Sequence, residues 1–234
     1  MSSTYRKRLL RAITASLMCV VLLLVGLPVH SEKSNYSASY ASGIFYRRLC
    51  NVQLQGNQRQ DIVNIAMSQI GYTEGAVKSE LSGLTNGNKN YTEYGLWYNN
   101  LYGPDGYERA AWCAMFVSWC ANQAGIPSDI VYYHAFTPYG LSWFQEQGRS
   151  YTRQQVANGS YTPLPGDIVY FKSNANNRIV NHVGIVVRYG DGILYAIEGN
   201  TYPNEQSSEG GQVCLKSYSI GDSFIRYICS PNYQ

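Results

Sequence analysis

Two residues in this sequence have the chemistry of a nucleophile and its proton acceptor: Cys113 and His182. A cysteine thiol with an ordinary pKa of about 8.5 is only a few per cent thiolate at neutral pH. The unpaired amides and the dipole at a helix N-terminus raise that fraction, and the same amides can hold the oxyanion formed when a carbonyl is attacked. Cys113 opens a stretch with helical spacing, so it occupies such a position. Taken alone, a buried small hydrophobe is the more ordinary role for a free cysteine. The histidine supply narrows the choice of base. His30 falls in an N-terminal apolar stretch, which leaves His134 and His182. His134, within Val131-Tyr132-Tyr133-His134-Ala135-Phe136, suits an ordinary core or surface role.

His182 begins the strand-like run His182-Val183-Gly184-Ile185-Val186-Val187, and Gly184 leaves space on its face. Tyr189-Gly190-Asp191-Gly192-Ile193 reads as a hairpin turn into a second strand, 193–200. A two-residue turn at Gly190-Asp191 sets His182 opposite Gly199, and one at Asp191-Gly192 sets it opposite Thr201. A three-residue loop sets it opposite Asn200. Every register brings Glu198 and Asn200 near the imidazole, and the three-residue loop puts both on its face because side chains alternate. Either can accept a hydrogen bond from the ring and fix the tautomer of a base. Polar residues at strand ends that make only turn contacts are the ordinary alternative.

These groups need elements to hold them. Ile62, Ile65, Ala66 and Ile70 predict a helix over 58–70 stopped by Gly71. Cys113, Phe116, Val117, Cys120 and Ala124 form one stripe of a helix over 111–124, closed by Gly125 and Pro127. Thr137-Pro138 starts a short helix that ends at Gly148. Residues 72–109 look loop-like, with one short helical turn near 94–98. Five β-branched and aromatic runs follow Pro165-Gly166, at 167–171, 180–187, 193–198, 212–218 and 224–229. Helices first and consecutive strands later predict an α+β fold with N-terminal helices on a mostly antiparallel sheet. A two-residue turn at Gly221-Asp222 would place Cys214 opposite Cys229, within disulfide reach. Cys120 reads as a core thiol, and Cys50 has no assigned role.

The chain has 234 residues, 14% aromatic and 14% charged, enough for a packed core and too few charges for a solvating disordered chain. Its formal charge is +3, but Arg6, Lys7, Arg8 and Arg11 lie in an acid-free N-terminal stretch. Without those four, fourteen basic residues face fifteen acidic ones, a net charge of −1. No basic patch for nucleic acid is evident. The basic start, the apolar run over 13–29 and Val29-His30-Ser31 resemble a secretory signal with its cleavage site. An uncleaved anchor is the alternative, since the apolar run approaches the length that spans a bilayer. The expected organisation is a signal over 1–31, a linker over 32–55 and a catalytic domain over 56–234. No CxxC or Cys/His cluster has zinc spacing, and no Asp-rich loop suits calcium, so no cofactor is expected. Five cysteines would remain after cleavage, an odd number that leaves at least one thiol free or shared between chains.

Four segments together resemble the CHAP family of cysteine- and histidine-dependent amidohydrolases/peptidases: 111–120 (Ala-Trp-Cys-Ala-Met-Phe-Val-Ser-Trp-Cys), 165–171 (Pro-Gly-Asp-Ile-Val-Tyr-Phe), 181–186 (Asn-His-Val-Gly-Ile-Val) and 197–200 (Ile-Glu-Gly-Asn). Trp112 stands where the related NlpC-type hydrolases usually carry an Asp, which favours CHAP. The resemblance, which extends over about residues 58–230, implies a papain-like fold with Cys113 as nucleophile, His182 as base, and Glu198 and Asn200 as its polar partners. It implies cleavage of amide bonds in peptidoglycan, by an N-acetylmuramoyl-L-alanine amidase or an endopeptidase, in a secreted or wall-associated monomer. Tyr94, Trp97 and Trp112 are candidates for lining the cleft, though packing is the commoner role for such aromatics. An inactive wall-binding module and an exported lysin or toxin with the same chemistry are the alternatives.

Overall fold

The structure, a computed structural model, describes residues 27–28, 35–103, 106–172, 180–203 and 210–234. In chain order these form β1 (Leu27–Pro28), α1 (Ala38–Ser42), α2 (Ile44–Cys50), β2 (Gln53–Leu54), α3 (Gln58–Ser68), α4 (Glu93–Tyr102) and α5 (Cys113–Gln123). There follow α6 (Thr137–Glu146), β3 (Ser150–Thr152), α7 (Arg153–Ala157), β4 (Ile168–Lys172), β5 (Val180–Gly190), β6 (Ile193–Thr201), β7 (Gln212–Ser219) and β8 (Ile225–Cys229). β1 pairs with β2, and the other strands make one antiparallel sheet in the order β3-β8-β4-β5-β6-β7. The α+β class expected from the order of helical and strand-like runs is the one observed. The basic and apolar stretch read as an export signal lies outside the described residues, apart from β1. Among the described residues no helix is long and apolar enough to cross a membrane.

α5 is the central helix. Every residue from Cys113 to Ala121 is buried, and the helix packs against α3, α4, β5 and β6. A helix apolar on all sides belongs in the middle of a core, and this one packs on helices and on the sheet at once. Its outer side meets a cluster of rings. Tyr94 stacks on Trp112 at 5.5 Å and touches Phe116 and Trp119 edge-on at 5.1 and 5.0 Å. Tyr94 and Trp112 are fully buried and Trp97 packs on Tyr133, so these aromatics are packing groups.

Three expectations are corrected. The segment read as a linker over 32–55 contains α1 and α2, whose Tyr40, Phe45 and Leu49 are buried in the main core. Helices of five and seven residues are too short to show a period, and Gly43 interrupts the pattern between them. The loop-like 72–109 region contains the ten-residue α4, capped by Thr92, whose Oγ1 accepts from the Gly95 N–H at 3.0 Å. Finally, Cys214 and Cys229 do not face each other, and both are free thiols. In the sheet β7 has β6 as its neighbour, while β8 inserts between β3 and β4, four strand positions away. The Phe224 N–H donates to Asp222 Oδ1 at 2.9 Å, an Asx turn that leads the chain off the β7 edge. Cys214 therefore faces Glu198, and Cys229 faces Ser150 and Ile168.

Candidate active site

The predicted hairpin exists, and its register arises in two steps. A two-residue turn at Asp191-Gly192 pairs Gly190 with Ile193, and a bulge at Val187 then shifts the ladder by one. Gly184 thus lies opposite Glu198, the register that a three-residue loop would have set. Asp191 and Gly192 have φ of 52° and 72°, the left-handed pair that a tight hairpin turn requires. The bulge carries the alignment on which the site depends, because a one-residue slip would turn Glu198 to the other face.

His182 and Glu198 are fully buried, and His182 Nε2 donates to Glu198 Oε2 at 2.8 Å. Gly184 makes this possible, since a Cβ there would lie 2.7 Å from Glu198 Cγ. Gly199 plays the matching part on the helix side. A Cβ on Gly199 would come within 2.7 Å of the Trp112 ring and 2.8 Å of Phe116 Cβ. The N-terminus of α5 consequently sits directly on β6, beside the carboxylate and imidazole.

Cys113 is the first residue of α5 and is buried, with its Sγ 4.0 Å from the Asn181 carbonyl. The first amides of a helix have no intrahelical partner, which leaves donors beside the sulfur. His182 Nε2 is committed to Glu198, while Nδ1 has no hydrogen-bond partner among the described residues and is the nitrogen left to serve the thiol. Burial alone would push the imidazole towards its neutral form. That influence is the largest single one, but Cys113 and the Glu198 carboxylate together outweigh it and raise the His182 pKa to about 9. The ring is held as an imidazolium at neutral pH.

Asn200 is buried but makes no hydrogen bond to His182; it lines an adjacent cavity beside Ala111 and Glu74. Its φ of 58° is a strained value for a residue other than glycine, where β6 departs from regular pairing with β7. Behind Glu198 stands a residue absent from the sequence reading. Lys216 Nζ lies 3.8 Å from Glu198 Oε2 and donates to Thr201 Oγ1 at 2.9 Å. The signal was present in β7, where Cys214, Lys216 and Tyr218 point inward and Leu215 points to solvent. A lysine on the buried face of an amphipathic strand calls for a buried acid as partner.

The remaining candidates are structural. His134 Nδ1 donates to the Tyr132 carbonyl at 2.8 Å, and burial lowers its pKa to about 4, so it is a neutral core histidine. Cys120 and Cys229 are fully buried, and burial drives both thiols above the ordinary range.

No curated protein and no solved structure matches the chain. The CHAP domain model matches residues 102–200, the stretch that carries Cys113, His182, Glu198 and Asn200, and over that stretch the chain is similar to this family of cysteine- and histidine-dependent amidohydrolases.

Proposed function

We propose that this protein is an exported cysteine hydrolase that cleaves amide bonds in the peptide part of bacterial cell wall. The observation that carries the reading is the convergence of Cys113, at the start of a buried helix, on His182, whose far nitrogen is held by Glu198. In this mechanism Cys113 Sγ, its proton held by His182, attacks the carbonyl carbon of the amide. The oxyanion is stabilised by the amides at the start of α5. The C–N bond breaks as the imidazolium gives its proton to the leaving amine, which leaves a thioester on Cys113. Water then attacks the thioester, His182 takes its proton, and the carboxylic acid departs with the thiol restored. Glu198 holds the ring orientation throughout and stabilises its charged form. The basic and apolar N-terminus supports export.

Digestion of purified peptidoglycan by the wild-type protein and by Cys113→Ala, with products identified by mass spectrometry, tests the reading. Wild type should release fragments with one new amine and one new carboxylate, and the position of these ends distinguishes amidase from endopeptidase. Cys113→Ala should release none. Equal release by the two proteins would overturn the mechanism.

A further inference from the structure

Next to the nucleophile lies a second feature that the chemistry of bond cleavage does not use. A cavity of about 330 Å³ is lined by Glu74, Asn88, Asn90, Ala111, Asn200 and Tyr202, within the size range of small-ligand sites. Ala111 is two residues before Cys113, and Asn200 is two after Glu198, so the cavity adjoins the place where a scissile bond would lie. Glu74 is only 4% exposed. Its Oε2 accepts from Trp112 Nε1 at 2.9 Å, and its Oε1 accepts from the Asn90 N–H at 3.2 Å. Both donors are neutral. Among the described residues no lysine, arginine or histidine forms an ion pair with Glu74. Buried carboxylates are ordinarily paired with a cation, so this one lacks the partner that its position calls for.

The wall around it is built to be stiff. Asn90 and Asn200 both hold left-handed φ values, 59° and 58°, a strain that folds store at binding and active sites. The loop is pinned by Gly87 N–H to the Glu74 carbonyl at 2.6 Å and by Glu74 N–H to the Gly211 carbonyl at 2.9 Å. Gly211 also packs against the Glu74 side chain, where a Cβ would lie 3.4 Å from Cγ. We infer that this cavity is a specificity subsite for a primary ammonium group on the substrate peptide, near the cleaved bond. The ammonium donates one hydrogen to Glu74, and two carboxamide oxygens among Asn88, Asn90 and Asn200 take the other two. The inference rests on the hydrolase reading and adds to it a substrate class: wall peptides with a free amine.

The test uses a defined stem peptide carrying one free side-chain amine and the same peptide N-acetylated at that amine. Wild type should show kcat/KM about tenfold higher on the free amine, the scale of one charge-assisted hydrogen bond. Glu74→Gln should bring the ratio towards one. If Glu74 serves only to hold Trp112, the variant slows both peptides alike and the ratio stands, which overturns the inference. Asn88→Asp provides a second variant at an exposed loop position and should widen the ratio, whatever the folding of Glu74→Gln. A wild-type ratio of one also overturns it. If neither peptide is cleaved, the hydrolase reading fails, and calorimetry decides the subsite separately. Tighter binding of the free amine, lost in Glu74→Gln, upholds it, and equal or absent binding sinks it.

Discussion

His182 is buried, which by itself would discharge it, yet the Cys113 thiol and the Glu198 carboxylate together keep it charged. The direction matters for activity. A pKa raised to about 9 means that the proton needed by the leaving amine is present at neutral pH and is lost as pH rises through about 9. The kcat/KM profile should therefore fall on an alkaline limb near pH 9. Glu198→Gln removes one of the two groups that raise this pKa, so the limb should move to lower pH and the maximum should drop about a hundredfold. A limb that stays in place would show that Glu198 does not control the proton. Lys216 explains how the carboxylate tolerates complete burial between strands, because it supplies a second cation near the same oxygen, Oε2, that holds the imidazole.

At the scale of elements, the site depends on one helix and one hairpin meeting without side chains between them. Gly199 is the contact, with the Trp112 ring and Phe116 Cβ inside the space that a methyl would need. Gly199→Ala should push the start of α5 off β6, cost roughly 1–3 kcal/mol of stability and reduce kcat/KM about a hundredfold through misplacement of Cys113. Gly190→Ala, with open space at its Cβ position, is the control and should leave both unchanged. Urea unfolding and initial rates on the same samples check this, and parallel behaviour of the two variants would refute it. The hairpin was legible because a turn with two glycines and an aspartate allows few registers, all of them bringing Glu198 near His182. The bulge that selects the register was not, since nothing in Val186-Val187-Arg188 distinguishes an irregular ladder from a regular one. The helix stripe of Cys113 was legible from its period, whereas α1 and α2 were too short to have one. The Cys214–Cys229 pairing failed because hairpin arithmetic assumes that consecutive strands are neighbours, and β8 crosses to another place in the sheet. Glu74 carried no local signal, because its importance comes from contacts with Trp112, Asn90 and Gly211 that are remote in sequence.

At the scale of the whole molecule, the first helices belong to the core that holds the nucleophile. Tyr40 lies 6.2 Å from the Trp119 ring on α5, and its hydroxyl donates to the buried Gln69, which also accepts from Tyr94. The clamp between the two parts is Glu93 at the start of α4, which accepts from Ser37 Oγ at 2.6 Å and from the Ser37 N–H at 3.1 Å. Burial outweighs these bonds and raises the Glu93 pKa from 4.5 to about 7. For a carboxyl group this sign means that folding favours the protonated form. The stabilising contribution is complete below pH 4.5, declines as pH rises towards 7 and is gone above it, a span of roughly 3 kcal/mol. Glu93→Gln can be neither charged nor discharged, so it should remove that slope. The stability difference between variant and wild type should change by roughly 3 kcal/mol in the variant's favour between pH 4.5 and pH 8. Comparing the difference at two pH values cancels any constant cost of fitting an amide beside Ser37. A difference independent of pH, measured by urea denaturation, would mean that Glu93 ionises in the fold as it does in the open chain. In that case the contact between α1 and α4 would be an open one, and the N-terminal helices would contribute little to holding α5 in place.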